Sequence, residues 1–174
     1  MPFFPARAPK GHSLAEFIHE EVCSSDAVVV GHITGKQSYL TENKDWVFTD
    51  YDFVVDEAFK SPDAQLHPGS QITVTRTGGE LIIYGHPVKA TESSYPPFQL
   101  GDTYALFLKF LPSSGSYQAV KEGSSYKVDS GKISKLTRGT LIPELNRPFD
   151  WQTFQNEVRI SATSTCDSTK GGSK

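Results

Sequence analysis

Apolar residues recur at two different periods along the chain, and the change of period marks out its elements. Leu14, Phe17, Ile18 and Val22 share one helical face, and "SLAE" at 13–16 is a capping-box pattern in which Ser13 and Glu16 satisfy each other's amides. A short N-terminal helix is therefore predicted. The β-branched run "AVVVGHIT" at 27–34 then reads as a strand. In "VFTDYDFVVDEAFK" at 47–60, Val47, Tyr51, Phe53 and Val55 fall on one face, and Asp50, Asp52, Val54 and Asp56 on the other. That is the alternation of a strand with one wet side.

"QITVTRT", Gly78-Gly79 and "ELIIY" read as a β-hairpin, because paired glycines supply the positive φ of primed turns. Tyr84, Gly85, His86 and Pro87 make a further bend. "TYALFLKFL" at 103–111 is apolar on both faces, as a strand in the middle of a core should be. "SYQAV", "SYKVDSG" and "KISKL" follow as short strands, and a last helix starts at Asp150 with Trp151, Phe154 and Val158 on one side. Many short strands between terminal helices predict a mainly β protein: a small antiparallel Greek-key barrel of the OB-like kind, with a short N-terminal and a C-terminal helix. An immunoglobulin-like sandwich is the alternative. The expected organisation is a flexible segment at 1–11, one domain at 12–160 and a flexible tail at 161–174.

Composition agrees with this picture. The 174 residues suit one domain; 37% are hydrophobic and 21% charged, with 14 glycines and 11 prolines, which favours turns over long helices. A net charge of −3 and the lack of any basic run argue against nucleic acid as a partner. No run approaches the roughly 20 apolar residues of a membrane span. "MPFFPARAPKGHS" has no apolar core followed by a cleavage site, so an exported protein would have lost its leader from this chain. Cys23 and Cys166 read either as a long-range disulfide, suiting an oxidising compartment, or as two unrelated thiols.

"CSSDAVVVGHI" (23–33), "YDFVVDEAFK" (51–60) and "GDTYALFLKF" (101–110) together resemble an uncharacterised domain of exported bacterial proteins. More distantly, Cys-x-Ser-Asp before an apolar strand is similar to the netrin-like module of tissue inhibitors of metalloproteinases, an OB-fold. The resemblance spans roughly residues 13–135. It implies an extracytoplasmic β-barrel. Those inhibitors use an N-terminal Cys-x-Cys ridge and several disulfides, whereas this chain starts Met-Pro-Phe-Phe and has two cysteines.

Candidate chemistry is sparse. Asp50 and Asp52 are spaced so that they could flank a scissile bond or share Ca²⁺, but a half-solvated strand requires the same pattern. Glu16, His19 and Cys23 lie on one helical stripe below His12 and could ligate zinc or form a Cys-His pair; no tight zinc-ligand spacing accompanies them. His32, His67 and His86 are isolated, and no Gly-x-Ser-x-Gly elbow or phosphate loop occurs. No cofactor and no metal are expected. The remaining handle is aromatic: Trp46 and Phe48 on the strand and Tyr39, Tyr95 and Phe98 in expected loops, offering a stacking surface for a glycan, a peptide or another copy. The favoured reading is a non-enzymatic extracytoplasmic binding or structural module. A netrin-type protease inhibitor is the alternative, and an enzyme using the strand acids with His32 or His86 is third.

Overall fold

The capping box forms as its sequence predicts. Ser13 Oγ accepts from the Glu16 amide at 3.2 Å, and the Glu16 carboxylate accepts from the Ser13 amide at 3.1 Å, starting helix α1 (Leu14–Ser24). The helix stops where Ser25 turns extended and its hydroxyl bonds the Glu21 carbonyl. Lys60 Nζ reaches the Val22 carbonyl at 2.9 Å and covers another of the orphaned acceptors of the last turn. At the other end of the chain, Asp150 Oδ2 accepts from the Thr153 amide at 2.9 Å and opens helix α2 (Trp151–Thr163). α2 continues past the expected boundary at 160. The computed structural model describes residues 13–91, 94–137 and 142–166. The segments expected to be flexible, 1–11 and most of the tail, lie outside them.

Among the described residues, ten strands lie between the helices: β1 (Ala27–Leu40), β2 (Val47–Lys60), β3 (Gln71–Thr77), β4 (Gly79–Ile83), β5 (His86–Ala90), β6 (Thr103–Leu111), β7 (Ser116–Ala119), β8 (Ser125–Asp129), β9 (Lys132–Lys135) and β10 (Phe149–Asp150). Their pairing runs β1–β2–β3–β7–β6 and returns from β6 to β1, so five strands make a ring. That return separates the fold from two stacked sheets. The ring is not closed into a barrel: β3 meets β7 at a single residue pair, Val74 with Tyr117, and that junction is parallel where an antiparallel one was expected. From β6 the sheet extends outward through β8, β9 and β10.

Strand alternation divides the apolar residues between two cores. Ala27, Val29 and Ile33 of β1, with Tyr104, Leu106 and Leu108 of β6, turn into the ring and pack on Phe53, Val55, Val74 and Phe98. Val28, Val30, Ala105 and Phe107 turn the other way, onto Ile18 and Val22 of α1 and Phe154 and Val158 of α2. β1 and β6 are therefore covered on both faces, which is why "TYALFLKFL" has no polar face over its first six residues. Burial of each large side chain contributes about 1.5–3 kcal/mol.

Two local expectations change, and a third, left open, is decided. β1 runs to Leu40, beyond the predicted end at 34, because shifts in its register with β2 between Val28/Val29, Val30/Gly31 and Ile33/Gly35 let the strand coil and continue through polar residues. Gly78-Gly79 does not close a hairpin between β3 and β4. Those glycines, at φ +94 and +149, bend the chain off the ring, and the hairpin joins β4 to β5 through Tyr84 and Gly85, both at positive φ. Gly79 passes so close to the Ser38 and Thr49 hydroxyls that a Cβ there would collide with them. The third concerns the cysteines, whose two readings resolve to a disulfide between Cys23 and Cys166, Cα–Cα 5.6 Å, tying the end of α1 to the chain beyond α2.

A candidate binding groove on the outer face of the sheet

β2 is paired on both sides, with β1 and with β3, so its outward residues sit on a rigid floor. Asp52 and Asp56 are exposed and Asp50 is half-buried, which makes the row of carboxylates the wet face of the strand. Their oxygens do not converge. Asp56 accepts from His32 Nδ1 at 3.1 Å, whereas Asp50 Oδ1 accepts from the Thr75 hydroxyl at 2.6 Å, directly across the β2–β3 ladder. No group of three metal-ligating side chains occurs among the described residues.

The helical stripe of possible zinc ligands is occupied by structural work. Cys23 is oxidised to the disulfide, with His19 Nε2 3.6 Å from its sulfur, and Glu16 holds the capping box. His12 lies outside the described residues. His67 bonds the Pro68 carbonyl, and His86 is exposed at the start of β5.

The aromatic residues part company. Tyr39 and Phe48 face each other across the β1–β2 ladder with ring centroids 6.3 Å apart and planes at 24°. Tyr39 is 40% exposed and Phe48 half-buried. Trp46 stands 60% exposed at the turn before β2, its amide bonded to the Thr41 hydroxyl. Tyr95 and Phe98, expected as exposed loop rings, are instead buried, at 8% and 0% exposure. Besides the contact of Tyr95 OH with Ser125 Oγ at 2.6 Å, what holds them there is Arg76, which no sequence motif singles out. Its guanidinium lies 3.4 Å from the Tyr95 ring centre and 4.4 Å from that of Phe98, and it donates to the Tyr95 and Pro96 carbonyls at 2.9 and 2.8 Å. Phe98 continues into the ring core against Tyr51 and Tyr104. The signal was available: Ile72, Val74 and Arg76 share parity in β3, so a cation at the inward position required an aromatic or carbonyl partner.

Of the concavities among the described residues, two bear on function. Arg76 and Tyr95 help line a cleft of about 200 Å³ beneath the β4–β5 hairpin, together with Lys36, Ser38, Thr49 and Tyr51. Ser38 and Thr49 hydroxyls are 2.7 Å apart there, and Thr49 donates to the Gly78 carbonyl. The second is a groove of about 380 Å³ on the outer face, lined by Tyr39, Thr41, Phe48, Asp50, Thr73, Thr75, Leu111, Ser114 and Ser116. A chain of polar groups crosses it. Tyr39 OH reaches Asp50 Oδ1 at 3.4 Å, Thr75 Oγ1 lies 3.2 Å from Ser116 Oγ, and Ser116 Oγ lies 2.7 Å from Ser114 Oγ. Burial, and then the neighbouring Asp50 charge, raise the Tyr39 pKa, so this phenol keeps its proton and acts as the donor. The groove thus combines an aromatic platform, one carboxylate and an array of hydroxyls.

No protein-family model matches the chain, and no curated protein matches it. What fold and site define is a β-ring protein carrying an aromatic- and hydroxyl-lined groove on the outside of its sheet.

Proposed function

We propose that the protein is a non-enzymatic extracytoplasmic binding module whose ligand lies in the Tyr39–Phe48 groove. The observation that carries this reading is the groove itself: stacked rings beside a pre-formed polar chain, with Phe48 and Asp50 on a strand paired along both edges, so that a ligand orders few groups on arrival. The Cys23–Cys166 disulfide supports the location, since such bonds persist outside reducing compartments. The alternative of a netrin-type inhibitor turns on the N-terminal segment, which lies outside the described residues. The enzymatic reading rests on His32 and Asp56, a pair on the exposed surface away from the groove.

The test is a binding screen of the wild type and of the Tyr39→Ala/Phe48→Ala double variant against glycan and peptide libraries. A binder captured by the wild type and lost by a variant of unchanged melting temperature is expected. Equal capture by both proteins, or capture of nothing, overturns the assignment of the groove.

A further inference from the structure

The chemistry of the lining narrows the ligand. We infer that the groove is a site for a neutral saccharide, a reading that rests on the groove being the binding site. Four of its properties point the same way. Tyr39 and Phe48 stack with their planes within 24° of parallel, which presents an ordered aromatic face for the C–H face of a pyranose ring. Asp50 lies beside that surface. Its Oδ1 is anchored by Thr75 and Tyr39, while Oδ2 takes no hydrogen bond from the described residues. A fixed carboxylate with an open oxygen is an acceptor suited to the hydroxyl donors of a sugar, and charge-assisted bonds of this kind are the strong ones.

The flanking Thr41, Thr73, Ser114 and Ser116 each carry a hydroxyl that can both donate and accept, matching a ligand whose own groups do the same. Finally, charge excludes the competitors. The lining holds one carboxylate and no lysine or arginine, so a uronate, a phosphorylated sugar or a nucleic-acid strand would meet repulsion without a compensating cation. A peptide that binds by adding a strand needs a free strand edge, and β2, which forms the floor, has none. The volume of about 380 Å³ falls at the low end of the roughly 300–1,000 Å³ of small-molecule sites, which suits a short saccharide lying along the sheet.

The experiment titrates the ¹⁵N-labelled 174-residue chain with neutral oligosaccharides built from glucose, galactose, mannose or N-acetylglucosamine, with an oligouronate and an extended-peptide panel run in parallel. Saturable shifts centred on Tyr39, Phe48, Asp50, Thr75 and Ser116 are expected with at least one neutral saccharide. Phe48→Ala should abolish them, and Asp50→Asn should weaken binding about 10-fold or more, as loss of a charge-assisted bond implies, with melting temperatures as the check on folding. Equal binding of the oligouronate overturns the neutral assignment. Shifts at the same residues with peptides alone overturn the saccharide inference while leaving the groove as a binding site. Shifts elsewhere, or none with any probe, overturn both.

Discussion

Breaking the Cys23–Cys166 bond has a calculable cost. The cysteines are 143 positions apart, so the bond closes nearly the whole chain into one loop. Chain-entropy reasoning gives about 2.1 + 1.5R ln n cal/mol/K for a loop of n residues, which for this separation is about 5 kcal/mol at 25 °C, the ceiling of what constraint of the unfolded state supplies. Disulfides typically deliver about 2–4 kcal/mol of such a ceiling. In a domain of this length each kcal/mol moves the melting temperature by about 2–4 °C, so Cys23→Ser/Cys166→Ser should melt roughly 5–15 °C lower than the wild type. The folded state should change little, because α2 stays packed through Phe154 and Val158 and does not depend on the tether for its place. Urea titrations of wild type and double variant, with near-ultraviolet circular dichroism to confirm a common fold, read the difference directly. Adding a reductant to the wild type should reproduce it. A loss below about 1 kcal/mol would refute the reasoning, since it would mean that the unfolded chain gains no useful freedom when this loop opens.

Two other predictions concern the packing and its charges. Phe154 lies fully buried against Phe107, Tyr126 and Trp151, so Phe154→Ala should cost about 3–5 kcal/mol in urea unfolding and Phe154→Leu distinctly less; equal costs would argue against a tightly filled helix-side core. The Asp26 pKa is depressed, first by the Phe110 amide that donates to Oδ2 at 2.9 Å and then by Lys109 at 3.2 Å, with burial opposing them. A depressed carboxyl stabilises the fold above its unfolded value, and that contribution is lost as pH falls through the lower folded value. Acid titration below about pH 4 should therefore destabilise the wild type more steeply than Asp26→Asn, and parallel curves would contradict the assignment.

The parts of the fold set by local pattern were legible in the sequence. Ser13 with Glu16, and Asp150 with Thr153, fixed both helix starts, and the alternation from Val47 to Asp56 placed the acids of β2 on the wet side. What escaped depended on partners distant in sequence. Gly78-Gly79 looked like a turn because the pair can adopt one, but Gly78 instead gives its amide to Val47 and the chain leaves the ring. Tyr95 and Phe98 lie in a segment rich in proline and serine that reads as surface, and partners distant in the chain, Arg76 about 20 residues earlier and Ser125 30 residues later, hold it inward. The aromatic half of the groove was visible as Tyr39 and Phe48. The polar half was not, because Thr75, Ser114 and Ser116 are ordinary strand and turn residues until β3 and β7 bring them beside Asp50.

Because β1 and β6 belong to the walls of both cores, neither the ring nor the helical layer has an independent boundary at which to come apart. Heating should consequently produce one calorimetric transition whose van't Hoff and measured enthalpies agree, with amides in α2 and in β2 exchanging through the same global opening. An early loss of helical signal, with the strands still intact, would show that a shared wall does not weld two layers into one cooperative body.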